Sequence, residues 1–181
     1  MIMRKILFFI LFLSFLIQAS CTKNETPVSG NQIIETTLYG TGPYYAYGFS
    51  FSQAKEVSTL EDPGPDITLL ADVDIDGITI RRLMLQTENL KNSFNKYGEY
   101  PNASSAETAY NNLTSANVTQ WVEWVDTLKS HQVWIFRTGT DHYAKFRIIN
   151  TVAEQRNGKP YGECTFEWDY QPDGTLTFPG K

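Results

Sequence analysis

Apolar and polar positions alternate along much of this chain at the period of an extended strand. Ile, Thr, Tyr and Phe dominate 33–39 and 44–51, and 40–43 separates the two runs as a turn. Tyr45, Tyr47, Phe49 and Phe51 occupy every second position, which gives one apolar strand face. The EDPGP run at 61–65 breaks regular structure. Residues 67–85 predict a hairpin around Asp76-Gly77, a dipeptide suited to the positive φ of a tight turn. The 91–100 stretch is polar and turn-rich. Further on, 133–137 and 142–149 predict a hairpin around 138–141, with Arg137 opposite His142. Asn157-Gly158 marks another turn. Cys164, Phe166, Trp168 and Tyr170 alternate with Glu163, Thr165, Glu167 and Asp169, a strand with one buried and one wet face. Pro172-Asp173-Gly174 turns it into a last strand at 175–178.

The 104–130 stretch has a different rhythm. Ser104 or Ser105 is placed to cap a short helix over 106–113. Trp121, Trp124, Val125 and Leu128 fall at i, i+3, i+4 and i+7, one helical face that Thr119 would cap. The alternative for this second segment is an irregular loop packed by its two tryptophans. The fold expected is mainly β and antiparallel, with a minor helical insertion around 104–130.

The first residues carry an address. Arg4 and Lys5 precede an apolar run, 6–17, of twelve residues. A transmembrane helix needs about 20, whereas this length suits the core of a signal peptide. Gln18-Ala19-Ser20-Cys21 resembles a bacterial lipoprotein cleavage site, with Gln18 where Leu, Val or Ile is usual. The organisation expected is a lipoprotein signal peptide at 1–20, lipidation of Cys21, a flexible tether at 21–32 and one β domain at 33–181. Asn-x-Thr/Ser sequons, such as the one at Asn24, read as polar turns.

Composition narrows the partners. There are 15 Lys+Arg against 20 Asp+Glu, a net charge of -5. Removing 1–20 takes away Arg4 and Lys5, so the mature balance is 13 minus 20, or -7. An acidic domain is not built for nucleic acid. With Cys21 lipidated, Cys164 has no cysteine partner and is expected to be an inert buried thiol.

VWIFRTGTDHYAKFRII at 133–149, followed by GECTFEWDYQPDG at 162–174, resembles the C-terminal half of the HmuY-like lipoproteins of Bacteroidetes-type bacteria. Tyr143-Ala144-Lys145 is the most typical piece. YYAYGFSFSQAKEV at 44–57 is similar to that family's opening strand, and Asp66-Ile67 to its next, with Pro65 where the family has Trp. The resemblance covers 33–178. It implies an all-β domain, lipid-anchored at the outer membrane or cell surface. Its best-known relatives grip haem iron between two His or Met side chains, drawn from stretches just before the C-terminal hairpin. The matching stretch here, 119–130, holds neither His nor Met.

The residues offer four candidate chemistries. Haem iron takes His, Met, Cys or Tyr, which points to Met84, His131 and His142. On the hairpin reading the two histidines lie about 20 Å apart, at ~3.3 Å per residue, too far to share an iron. Met84 with one histidine stays open; otherwise His131 and His142 are surface and turn-flanking residues. Asp72-x-Asp74-x-Asp76-Gly77 matches the opening of a calcium loop, although Leu83 stands where the bidentate Glu belongs; the alternative is a strand with wet aspartates. No Gly-x-Ser-x-Gly or His-Glu-x-x-His occurs, so no enzyme is expected. Glu167 and Asp169 on one strand face read as solubility charges. Trp121, Trp124, Trp134 and Trp168, with Tyr44, Tyr45 and Tyr47, are either core or the lining of a pocket for a flat or sugar ligand. The function expected is a membrane-anchored module holding a small ligand, haem or another tetrapyrrole among the candidates. A surface protein partner with no small ligand is the alternative.

Overall fold

The computed structural model describes residues 26, 28–89 and 91–180, so the leader at 1–20, Cys21 and most of the tether lie outside the described residues. The chain runs β1 (Ser29–Glu35), β2 (Tyr47–Ser50), β3 (Lys55–Ser58), β4 (Thr68–Val73), β5 (Ile80–Gln86), β6 (Phe94–Glu99), α1 (Ala103–Asn112), β7 (Gln132–Arg137), β8 (Tyr143–Arg156) and β9 (Lys159–Gln171). Five strands form one antiparallel sheet in the order β1-β9-β8-β7-β6. Two separate ribbons, β2–β3 and β4–β5, complete the strands. Among the described residues the fold is the expected mainly antiparallel β domain with a minor helical insertion, of which only the first of the two candidate helices forms.

The main core joins the sheet to the ribbons. Ile34, Phe136, Phe146, Phe166 and Trp168 from the sheet meet Phe49, Phe51, Leu69 and Leu85, all nearly or fully buried. Offset and edge-on ring pairs, such as Phe49 with Phe166 at 5.5 Å, fill this space. A second cluster unites Tyr110 of α1, Leu113 and Phe178 with Val133 and Ile135. The middle of the sheet is therefore covered on both faces. That explains the unbroken apolar run in β7, where alternation fades because neither face is wet.

The same cover changes the reading of β9. Cys164, Phe166, Trp168 and Tyr170 face the main core as expected, but the opposite face is not wet throughout: Asp169 is fully buried. It pairs at 3.4 Å with Lys145, also fully buried. Lys145 Nζ donates to the carbonyls of Tyr110 (2.9 Å) and Leu113 (3.0 Å) at the C-terminal end of α1, where helix carbonyls run short of backbone donors; the Tyr110 carbonyl also accepts from Leu113 N–H at 3.3 Å. It also donates to Pro179 (3.3 Å) and lies 4.6 Å from the Tyr110 ring centroid. One cation thus fastens the helix end and the C-terminal segment to the sheet.

Several expected boundaries move. The first strand starts at Ser29, inside the 21–32 tether, because β9 is long enough to pair it back to Asp169. The polar 91–100 stretch contains β6, an edge strand held by β7. The helix over 106–113 is α1, begun earlier and capped by Asn102, whose side chain accepts from Ser105 N–H at 2.9 Å. No helix forms over 119–128. There, Val122 and Val125 make bridges to Phe94 and Leu85, and Leu128 N–H donates to Leu83. Tertiary pairing along two strands outweighs the local helical spacing. Asp76-Gly77 lies in a longer loop between Val73 and Ile80, and only Gly77 of the two has positive φ. Arg137 pairs with Tyr143, one residue from the expected register. Residues 175–178 contribute a bridge from Thr177 to Ser115 instead of a strand. At Asn157-Gly158 both residues have positive φ, as a two-residue hairpin requires.

Candidate functional site

The segment after α1 builds an open aromatic site. As 119–128 crosses from β6 to β5, its bridges bury Val125 and Leu128 in the core and turn Val122 and Trp124 outward. The Trp124 side chain is 52% exposed, and a groove opens on each side of it. The first, of about 320 Å³, has Leu70, Met84 and Leu85 as apolar lining and Arg82, Gln86 and Asp126 as polar lining. The second, of about 460 Å³, combines Phe94, Val122 and Trp134 with Asn95, Lys96 and Gln120. Trp124 and Asp126 belong to both.

The polar groups are held in place. Arg82 reaches Asp126 at 2.7 Å, so a cation from β5 fixes the loop that carries Trp124. Asn95 Nδ2 donates to Gln120 carbonyl at 2.9 Å. Lys96 pairs with Glu99 and lies 5.9 Å from the Trp134 ring centroid. Trp134 is itself fixed by donating Nε1–H to Gln132 at 3.2 Å. An indole face flanked by amides and opposite charges suits a ring-bearing ligand with polar substituents.

Only one of the haem candidates enters this site. Met84 faces the first groove from β5. His131 lies before β7 with φ 69°, its carbonyl accepting from Tyr100 N–H and its own N–H donating to Ile148. His142 sits at the other end of β7, its Nδ1 3.0 Å from Thr140 Oγ1 and its ring against Tyr170. Neither histidine lines either groove, and β7 separates them. Among the described residues, no group of three or more His, Cys, Asp or Glu side chains is placed to hold a metal ion.

The aspartates of the calcium pattern do not converge. Asp72 pairs with Arg81 at 2.7 Å and Arg82 at 2.9 Å, and the Arg81 contact lowers its pKa. Asp74 accepts from Ile75 N–H. Asp76 accepts from the Thr79 hydroxyl and from the backbone N–H groups of Thr79 and Ile78, which lower its pKa. These carboxylates organise the β4–β5 loop and its flank.

The remaining aromatics divide by environment. Trp168 is core. Trp121 packs on the other side of the sheet, between Tyr143 and the guanidinium of Arg137. Tyr45 and Tyr47 join Tyr39 in a separate ring cluster, with centroids 5.3–5.7 Å apart. Cys164 is buried, and burial pushes its thiol pKa up, which keeps it in the unreactive form. Arg82, Gln86, Asn95, Lys96, Gln120 and Asp126 carry no sequence motif that marks a site. Asn95 and Lys96 lie in β6, whose sequence reads as a polar turn. A scan against models of known protein families and a search of the curated proteins both return no match for this chain.

Proposed function

We propose that this chain is a surface lipoprotein, anchored through Cys21 to the outer membrane, whose β domain holds a small ring-bearing ligand against Trp124. The observation that carries this reading is the half-exposed indole between two adjoining grooves with fixed polar groups. Pockets for small ligands commonly enclose ~300–1,000 Å³ with a few convergent polar groups. The HmuY-like resemblance at 133–149 and 162–174 supports the anchored, ligand-holding role and keeps a tetrapyrrole within the ligand class. For haem, Met84 would supply a soft sulfur donor from the groove lining, and Trp124 would offer a ring face for the macrocycle to stack on. The role is binding, not catalysis. Titration with haemin, followed by tryptophan quenching and by the Soret band, tests it. Saturable binding by the wild type that weakens in Trp124→Ala supports the reading, and no binding by either opposes it.

A surface protein partner is the second reading. Val122 and Trp124 are exposed side by side on the same segment, an apolar pair of the kind that anchors protein interfaces. Cross-linking in outer membranes that captures one defined protein through this segment would favour it over the small ligand.

A further inference from the structure

Among the described residues, most but not all exposed large apolar side chains fall in one part of the chain; Ile75, Tyr97, Val122, Trp124 and Ile149 lie elsewhere. Val28, Ile33, Leu38, Tyr39, Tyr44, Tyr47 and Leu60 all come from the first part of the domain. Val28 and Ile33 belong to the segment of β1, which has β9 on one side and forms one edge of the sheet. Beyond the end of β1, Tyr39 bridges to Tyr45, and the rings of Tyr39, Tyr45 and Tyr47 pack together. Thr59 N–H donates to Ala46, which sets Leu60 beside the same cluster. Tyr44 and Leu38 are the most exposed of the group, at 67% and 66%.

We infer that this edge and its tyrosine cluster rest on the lipid surface to which the chain is anchored. The inference depends on the proposed anchor at Cys21. Eight residue steps separate Cys21 from Ser29, a reach of about 28 Å at ~3.5 Å per step. From Ser29 to Glu35, β1 covers about 20 Å at ~3.3 Å per residue. An anchor entering at the start of β1 therefore reaches the level of the tyrosine cluster when the sheet edge lies along the membrane. Tyrosine suits this position because its ring is apolar and its hydroxyl remains among the headgroups. Acidic side chains adjoin the cluster: Tyr39 donates to Glu35 at 2.8 Å, and the pKa of Tyr47 is raised first by its neighbour Tyr45 and in smaller part by Glu61 and Glu56. The contact is thus aromatic and apolar, not an attraction to anionic lipid, and is insensitive to salt.

Spin-label accessibility on the lipidated mature chain, in phosphatidylethanolamine–phosphatidylcholine vesicles, tests this. One nitroxide goes on Tyr44→Cys. The reference goes on Tyr97→Cys, an exposed tyrosine of β6 at the opposite edge of the sheet. Buried Cys164 does not compete for label. The label at Tyr44 is expected to lose accessibility to a water-soluble nickel chelate several-fold relative to that at Tyr97, to gain accessibility to oxygen, and to keep this difference in high salt. A second label on Leu60→Cys should follow Tyr44 and lose protection when Tyr39→Asp and Tyr47→Asp are added. Equal accessibility at Tyr44 and Tyr97 on vesicles that carry the protein overturns the docking and leaves the anchor standing. Failure of the chain to float with vesicles overturns both. Protection of Tyr44 that persists without vesicles and grows with protein concentration assigns the patch to a second copy and overturns the docking.

Discussion

Replacing Lys145 with methionine keeps an unbranched four-atom stem of similar shape and removes the terminal ammonium group. The structure sets the size of the effect. Lys145 and Asp169 are both fully buried and 3.4 Å apart, so Lys145→Met leaves a carboxylate inside the protein without its cation. Removing one partner of such a pair typically costs about 3–5 kcal/mol. Three carbonyls, of Tyr110, Leu113 and Pro179, also lose a charged donor. A domain of this size has ~5–15 kcal/mol of stability in all, and loses about 2–4 °C of Tm per kcal/mol. Urea unfolding should therefore show a loss of at least about 3 kcal/mol, and thermal unfolding a fall of roughly 6–20 °C. Hydrogen exchange should quicken first in α1 and at 176–179, the two pieces the lysine fastens. Adding Asp169→Leu should recover much of the loss, since an apolar replacement of both partners is often neutral. A single variant within about 1 kcal/mol of wild type, or a double variant as unstable as the single, would refute the reasoning.

Other outcomes follow from the same structure. Burial pushes the pKa of Asp66 up to about 6, against backbone and hydroxyl donors at Phe51, Ser50 and Ser52 that act the other way. The folded state therefore binds this proton more tightly than the unfolded chain. The stability it contributes is full below pH 4 and lost as pH rises through 6. Asp66→Asn should gain up to about 3 kcal/mol relative to wild type between pH 4 and pH 7, read as a difference of urea curves; a difference constant with pH would contradict this. Gly48→Ala would set a methyl group 2.3 Å from the Ile67 carbonyl. It should cost at least ~1–3 kcal/mol by overpacking, and a neutral thermal melt would show that the β2 contact can relax. Trp124→Ala, at an exposed position, should change stability by no more than about 1 kcal/mol, so its effect on binding can be read separately.

The sheet was legible wherever side-chain alternation and turn chemistry agreed. Asn157-Gly158, flanked by long alternating runs, marks the β8–β9 hairpin without ambiguity, and Cys164 through Tyr170 mark its buried face. Legibility fails where long-range contacts decide. The residues of β6 include Asn95, Lys96 and Glu99, and nothing local announces a strand; β7 and the bridge to Val122 make it one. The spacing of Trp121, Trp124, Val125 and Leu128 imitates one helical face, but the four go to different places: Trp121 to the second cluster, Trp124 to the surface, Val125 to a bridge with Leu85 and Leu128 to the main core. Lys145 and Asp169 look like surface charges, and only the return of α1 and the C-terminal segment across the sheet buries them. The site suffered most from this. Trp124 was visible as an aromatic, but its exposure depends on the extended course of 119–128, and its polar neighbours come from β5 and β6.

The most direct test of the account is a titration of wild type and Trp124→Ala with haemin, compared under identical conditions. Loss of a central aromatic anchor costs ~2 kcal/mol or more, which is over tenfold in affinity. The account predicts saturable one-site binding with quenched tryptophan emission in the wild type, and at least about a tenfold weaker affinity in the variant at a melting temperature within about 4 °C of wild type. Equal affinity in the two proteins, or no binding by the wild type, would contradict it.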